Sequence, residues 1–334
     1  VLNAVVYIFI DPILSFLRVP EEVWGGMREY LLIIFAGLLA TSLYNFFSCL
    51  LRALGNSTVP LVFLAVSAIL NIAWDLLFVA VFHWGIAGAA YATIFAQYVS
   101  GIGILLYVIF RCRSLFPERK DLCFDGGILK EIAGLSSLTC LQQSVMNFGI
   151  LMVQGLVNSF GATTMAAFAA AVKIDTFAYL PVQDFGNAYS TFVAQNYGAG
   201  NKERIRRGTK ESFAISTAFS LVISALVFAF AAPLMQIFVS SAETAVIASG
   251  VRYLRIEGAF YFGIGCLFLL YGYYRAIKRA EMSVVLTVIS LGIRVLLAYV
   301  LSATSLGETG IWMAIPIGWI LADLTGLLYM RKTW

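Results

Sequence analysis

Charged residues are scarce in this sequence of 334 residues: they make up 12% of the chain, whereas 61% is hydrophobic and the mean hydropathy is +0.89. Because soluble domains typically contain about 45 to 50% apolar residues, a soluble fold is excluded. The formal net charge of +4 does not indicate nucleic acid as a partner, since the basic residues follow the membrane topology described below. The composition therefore predicts a chain that crosses a lipid bilayer several times.

Residues that bind metals or nucleotides are also few. The five cysteines form no CxxC pair, and His83 is the only histidine. These counts give no support to a metal site or a disulfide framework. The sequence also lacks the GxxxxGK[ST] pattern of ATP-binding loops, and no His-rich or paired-acid group falls on one predicted helix face. We therefore expect no cofactor and no enzymatic activity.

Ten apolar runs of about 20 residues dominate what is present, and each is long enough to span the hydrocarbon core as a helix. They lie near residues 1–17, 30–51, 60–82, 86–110, 129–158, 164–194, 212–239, 251–274, 282–304 and 310–330. The sequence thus predicts an all-α polytopic membrane protein.

Basic residues alternate between the connecting segments. Sixteen of the 22 lie in or beside every second connector: Arg52, Arg111, Arg113, Arg119, Lys120, Lys130, Lys202, Arg204, Arg206, Arg207, Lys210, Arg275, Lys278, Arg279, Arg331 and Lys332. The intervening connectors hold Arg18, Arg28, Arg252 and Arg255. Because basic connectors stay on the cytoplasmic side, we expect the sixteen and the C-terminus to face the cytoplasm of a plasma-membrane protein.

An internal repeat relates the two halves of the chain. Arg-Ala pairs at Arg52 and Arg275 stand 223 residues apart, and Pro12 matches Pro233 at a separation of 221. Six predicted spans separate the copies, and an even number gives them the same orientation. The repeat therefore predicts two parallel helical lobes.

The repeat also predicts a division of the chain. We expect residues 1–110 to form the last four helices of a first lobe, 111–128 a cytoplasmic linker, and 129–334 a complete six-helix second lobe. Residues 125–221 have no counterpart in the first half. This difference leads to the expectation that about 100 N-terminal residues, including two spans, have been lost from a parent with six plus six spans.

Asn71 and Asp75 are the polar residues that point most directly to function. Asp75 is the only formal charge between residues 61 and 82, and Asn71 precedes it by four positions, which places both on one helix face. A carboxylate is costly in lipid unless it faces a protein interior or a wet cavity. The oxygens suit a cation or a proton; alternatively, the pair is structural and bonds backbone groups or each other.

Further charges occur in the predicted span 164–194. Lys173, Asp175 and Asp184 accompany Pro181, which is expected to kink the helix. These charges either line a substrate cavity or form an internal ion pair that fixes helix packing.

Several segments spread along the chain carry a resemblance to a known family. They read RALGNSTVP, NIAWDLLF, HWGIAGAAYATIFAQ, LVNSFGATTMAAFAAAVKIDTFAYLP and FVAQNYGAGNKER. The sequence resembles the multidrug and toxic compound extrusion (MATE) family of efflux transporters. That resemblance implies two six-helix lobes around a central cavity, and exchange of a drug or metabolite for Na+ or H+.

The resemblance also implies site residues. An ion-coupling site in the first lobe would use Asn71, Asp75 and Thr93, with Asn45 as a weaker candidate. The sequence departs from the second-lobe site of some members, because Gln142 and Gln143 stand where a Glu is expected and Glu257 is displaced toward the start of its helix. Glu257 nevertheless joins Gln142, Gln143, Lys173, Asp175, Asp184 and Arg294 as candidates for lining the substrate cavity. Arg294 occupies the repeat position of Asn71, so the lobes differ chemically.

The expected function is secondary active export of an amphipathic, cationic small molecule by a monomer in the bilayer. A flippase for lipid-linked precursors and an exporter of an endogenous metabolite are the alternatives within the superfamily. An ion channel fits less well, because parallel lobes with broken helices favour alternating access.

Overall fold

The computed structural model describes residues 2–16, 21–113 and 124–333, and all regular secondary structure in these ranges is helical. The chain divides into two compact units, Val1–Phe124 and Asp125–Trp334, with the boundary inside the segment 111–128. Residues 17–20 and 114–123 lie outside the described ranges, and with them Arg18, Arg119, Lys120, Cys123 and most of the predicted linker 111–128.

The first unit contains α1 (Leu2–Phe16), α2 (Glu21–Ala36), α3 (Leu38–Ala53), α4 (Thr58–Asp75) and α5 (Gly85–Arg111). The second unit contains α6 (Gly126–Asn158), α7 (Ala162–Gly198), α8 (Lys202–Gln236), α9 (Thr244–Gly258), α10 (Tyr261–Ala276), α11 (Ala280–Thr287), α12 (Ile293–Ser302) and α13 (Glu308–Thr333). Two π-helical segments prolong these helices: Leu76–Val81 follows α4, and Val288–Gly292 joins α11 to α12.

These helices coincide with the ten predicted spans. Within the described ranges, eight are long and apolar enough to cross a membrane; α9 and α10, bent by 51°, make a ninth, and α1 is a shorter apolar helix. The all-α polytopic membrane fold is thereby confirmed. Predicted boundaries were wrong where a helix begins in polar residues. Helix α8 begins at Lys202, about three turns before the predicted span. The Asn201 side chain caps its N-terminus by accepting a hydrogen bond from Arg204 N at 3.1 Å.

Two kinks have the same local cause. Phe9 in α1 (φ −105°, ψ 16°) and Phe230 in α8 (φ −103°, ψ 17°) leave the helical conformation three residues before Pro12 and Pro233. A proline ring clashes with the preceding turn and donates no hydrogen bond there, so the helix opens at that turn. The repeat thus extends to backbone angles, whereas α7 continues through Pro181 as one helix.

Two helix interruptions also occupy equivalent positions. Gly37 separates α2 from α3, and Ala259–Phe260 separate α9 from α10. At each interruption a hydrogen bond to the third preceding residue replaces the helical one: Gly37 N donates to Ile34 O and Phe260 N to Glu257 O, both at 3.0 Å. The interruption therefore falls within the span and divides it into two arms.

Packing differs between the core and the surface of each unit. In the second unit the ring of Trp312 is fully buried, stacks on Phe168 at 5.5 Å and meets Tyr253 edge-on at 4.9 Å. Large apolar side chains such as Phe177 (78% exposed) and Ile69 (67%) point outward. Such surfaces would aggregate in water and suit contact with lipid chains.

Candidate functional site

Asn71 and Asp75 lie on the last turns of α4 and are half-buried. The Nδ2 atom of Asn71 and the Oδ1 atom of Asp75 are both buried, and neither has a hydrogen-bond partner. A buried polar atom without a partner costs about 1 to 3 kcal/mol, so each one requires an explanation, such as a bound ion, a water molecule or a functional role. The two atoms are thus buried polar groups, one turn apart on a largely apolar helix.

The backbone changes its winding directly after Asp75. Leu76–Val81 is π-helical, and the following turn bonds Trp84 N to Phe78 O at 2.9 Å. A π-helical segment inserts an extra residue into the turn, and such segments are frequent at functional sites.

Helix α5 packs antiparallel to α4 and brings Thr93 to the same level. The Ser67 hydroxyl donates to Ala96 O at 2.8 Å, and Phe78 packs against Gly88 further along. Asn71 and Asp75 lie between these contacts on α4, as Thr93 does on α5. The Thr93 hydroxyl donates to Ala89 O at 3.0 Å, which leaves its oxygen free to accept a bond or bind a cation.

Gln97 is a polar residue of this region that the sequence did not single out. It follows Thr93 by one turn, and its buried Oε1 has no partner. Its side chain lies against Gly37 at the bend between α2 and α3, since a Cβ on Gly37 would come within 2.2 Å of Oε1. The sequence did contain a signal for Gln97, because residues four apart on a helix lie on one face and Gln97 is four residues after Thr93. Asn45, by contrast, is exposed on α3.

The second unit gathers a larger polar cluster from four helices. Its members are Asp175 on α7, Tyr253 and Glu257 on α9, Tyr261 on α10 and Arg294 on α12. The Tyr261 hydroxyl donates to Asp175 Oδ1. Asp175 also interacts with Tyr253 and Glu257, and the Arg294 charge acts on both carboxyl groups. Of the predicted cavity residues, the fold thus brings Asp175, Glu257 and Arg294 together.

The carboxyl groups of this cluster are incompletely bonded. Asp175 is 4% exposed and Glu257 6%, yet Asp175 Oδ2 and Glu257 Oε2 have no hydrogen-bond partner. The buried Nε of Arg294 is also without one. The two tyrosines were missed because phenols are common throughout the sequence, and their spacing on α9 and α10 carries no distinct signal.

The remaining candidates lie apart from the cluster. Gln142 is buried in α6, whereas Gln143 next to it is exposed. Lys173 is exposed, with its Nζ 5.6 Å from the centre of the Phe238 ring, and Asp184 is exposed more than two turns from Asp175. No ion pair between described residues joins Lys173 to either aspartate, so this part of the structure does not contain the predicted internal pair.

The sequence matches the profile of the family described as MatE over residues 1–77 and 138–300. The chain belongs to this family. It is therefore a multi-pass membrane transporter of the multidrug efflux type and not an enzyme, and its family resemblance is confirmed.

Several named proteins are similar in sequence to this chain over most of its length. The probable multidrug resistance protein YpnP of Bacillus subtilis is 32% identical over 319 residues, which are 96% of this chain and 71% of that protein. The probable multidrug resistance protein NorM of Thermotoga maritima is 28% identical over 323 residues (94% and 68%). An FAD transporter of Shewanella oneidensis is 25% identical over 328 residues (95% and 70%).

Solved structures agree on the MATE fold. An outward-facing MATE family transporter of the MOP superfamily superposes with a TM-score of 0.93 at 23% identity, over 99% of this chain and 74% of that one. The Vibrio cholerae MATE transporter VcmN in the bent form gives a TM-score of 0.90 at 23% identity, over 99% and 75%.

Proposed function

We propose that this protein is a secondary active exporter, which moves amphipathic organic cations out of the cell in exchange for Na+ or H+ by alternating access. The observation that most directly supports this proposal is a pair of buried atoms without hydrogen-bond partners. They are Asn71 Nδ2 and Asp75 Oδ1, just before a π-helical turn. The multidrug resistance names of relatives that share over nine-tenths of the chain support this substrate class. In this proposal the protein works as a monomer in the plasma membrane, and its C-terminus lies in the cytoplasm.

Asp75 is proposed to bind the coupling ion. An ionised carboxylate at mid-membrane costs on the order of 3 kcal/mol, which bound Na+ or H+ would remove by neutralising it. Asn71, Thr93 and Gln97 supply the neighbouring oxygens, which suit a hard cation or a shared proton. Ion binding would then neutralise the Asp75 carboxylate, and ion release would restore its charge, in each transport cycle.

A second candidate is export of an endogenous anionic metabolite. The relative named FAD transporter favours it, since flavin dinucleotides carry phosphate groups. Transport of a cationic dye and of a flavin nucleotide by the same vesicles distinguishes these substrate classes.

The test is transport in proteoliposomes under two imposed gradients. One sample carries a Na+ gradient at equal pH, and the other a pH gradient without Na+. We expect Asp75→Asn to abolish efflux driven by the active gradient, because it preserves the shape and removes the charge. Glu29→Gln is the matched control, since Glu29 is an exposed carboxylate of the same unit.

Protein amount and thermal stability are measured beside transport, because a merely structural carboxylate would lower all three. Wild-type efflux with unchanged ion dependence in Asp75→Asn would overturn the assignment of Asp75.

A further inference from the structure

We propose that Asp175 and Glu257 hold one dissociable proton between them, which gives the second unit a proton site of its own. This site differs from the Asn71–Asp75 pair in its residues and in its unit. It goes beyond the proposed exporter function, because the proton would be held whether or not Asp75 binds the coupling ion.

The balance of charge is the first reason. Asp175 and Glu257 are more than nine-tenths buried, and the one guanidinium beside them is that of the partly buried Arg294. If both carboxyl groups were ionised, an excess negative charge would remain. Uncompensated buried charge is costly, and two neighbouring carboxylates repel each other. One proton on the pair makes the cluster electrically neutral.

The unpartnered atoms are the second reason. Asp175 uses Oδ1 to accept the Tyr261 hydrogen bond, so Oδ2 remains, and Glu257 has a free Oε2. A proton on either oxygen converts that carboxyl group into a donor that can bond the other. One added hydrogen therefore serves both free oxygens, whereas two ionised groups could only accept.

The surrounding helices supply no further buried positive charge, because Lys173 on α7 and Arg252 and Arg255 on α9 are all exposed. Residues 212–236 of α8 contain no ionisable side chain, and residues 132–158 of α6 contain only Cys140. On α13, Glu308 bonds Thr164 and Ser249, and Asp323 interacts with Cys266. Among the described residues, the groups acting on the pair are thus Arg294 and the neutral phenols of Tyr253 and Tyr261.

A proton fits this cluster better than a metal cation does. The Arg294 guanidinium would repel a cation placed beside the carboxyl groups, whereas a covalently bound proton needs only one oxygen. No group of three or more His, Cys, Asp or Glu side chains within the described ranges could hold a metal ion.

Infrared difference spectroscopy of the purified protein in lipid nanodiscs tests the proposal. A protonated carboxyl group gives a C=O band that shifts in D2O and disappears when the group ionises. All samples carry Asp323→Asn, because Asp323 is the third buried carboxyl among the described residues. Asp175→Asn and Glu257→Gln are compared with Asp184→Asn, which changes an exposed carboxyl on the same helix as Asp175.

We expect Asp175→Asn and Glu257→Gln each to remove one carboxyl equivalent of the band, since a single carboxylate beside Arg294 is balanced without a proton. Asp184→Asn should retain the band. Full retention in both pair variants would overturn the proposal. A band that disappears when Na+ replaces K+ at constant pH would also overturn it, because the pair would then bind a cation.

Tyr261→Phe tests the shared proton if Asp175→Asn or Glu257→Gln fails to fold. It keeps both carboxyl groups and removes one hydrogen bond to Asp175, so the band should remain at full intensity with a changed frequency. Loss of the band, or an unchanged frequency, would contradict a proton shared at this pair.

Discussion

Lys278 occupies in the second repeat the left-handed backbone position that Gly55 holds in the first, at φ 61° and φ 86° respectively. Each residue ends a helix and bonds its N–H to the carbonyl of an arginine three residues back, Arg275 at 3.3 Å and Arg52 at 2.9 Å. Glycine adopts this conformation without steric cost, whereas a side chain does not. The same turn is therefore built from a favourable residue in one half and an unfavourable one in the other.

Opposite effects on stability follow for the two turns. Gly55→Ala should lower the free energy of unfolding by about 1 to 2 kcal/mol. Backbone strain alone would cause this loss, because a Cβ at Gly55 meets no atom within 4 Å. Lys278→Gly should raise the midpoint of thermal unfolding in detergent, since it relieves that strain. A lower midpoint in Lys278→Gly would show that the side chain matters more than the backbone.

The Lys278 side chain forms an exposed ion pair with Glu131, at 2.5 Å between Nζ and Oε1. The hydrogen bond from Lys278 to Glu131 raises the Lys278 pKa above its ordinary value. A raised pKa in the folded state stabilises the protein below the unfolded pKa, about 10.4, and the effect disappears as pH rises through the folded value. The difference in melting midpoint between wild type and Glu131→Gln should therefore be constant from about pH 7 to 9 and vanish in stronger alkali. If the difference in melting midpoint changed between about pH 7 and 9, the Lys278–Glu131 ion pair would not be its cause.

Gly37 and Gly25 form a matched pair for testing the bend beside Gln97. A Cβ on Gly37 would lie 2.2 Å from Gln97 Oε1 and 2.9 Å from Ile94 Cγ2, whereas one on Gly25 meets nothing within 4 Å. Gly37→Ala should destabilise the protein by roughly 1 to 3 kcal/mol through overpacking. Gly25→Ala should be neutral or stabilising by up to about 1 kcal/mol. Equal denaturation midpoints for the two variants would refute the close packing.

Glu308 joins three helices near their ends. Its Oε2 accepts bonds from Thr164 of α7 at 2.9 Å and Ser249 of α9 at 3.0 Å, and its Oε1 lies 3.5 Å from Arg252 Nη1. Glu308→Ala should cost about 2 kcal/mol or more, because two buried hydroxyls lose a charged acceptor. Arg252→Ala removes the half-exposed ion pair and a long hydrogen bond to Thr309 Oγ1 at 3.4 Å, and it should cost under about 1 kcal/mol. If denaturant titration ranks the two variants in the opposite order, the ion pair dominates.

Hydropathy was sufficient to predict the helical architecture, because about 20 apolar residues in sequence have few other stable arrangements in a bilayer. It could not reveal the interruption at Gly37 or at Ala259–Phe260, since neither bend contains proline and both lie within apolar sequence. The kinks before Pro12 and Pro233, by contrast, have a local signal in the proline itself.

The sequence was less informative about the polar sites. Asn71 and Asp75 share one helix, so their spacing alone placed them on a common face. Asp175 and Glu257 lie on different helices and 82 positions apart, and only tertiary packing brings them together. Tyr253 and Tyr261 join that cluster through the turn between α9 and α10, which periodicity does not describe.

The bend between α9 and α10 separates Glu257, on one arm, from Tyr261, the first residue of the other. Tyr261 is bonded to Asp175, and α10 is held against α7 where the Ser190 hydroxyl donates to Gly272 O at 2.9 Å. The bend angle therefore sets how far apart the two carboxyl groups stand. By thermodynamic reciprocity, a motion that widens this separation weakens the hold on a shared proton, and loss of the proton drives the arms apart through restored repulsion. The bend would then convert a chemical event, the loss of one proton, into mechanical work on the helix.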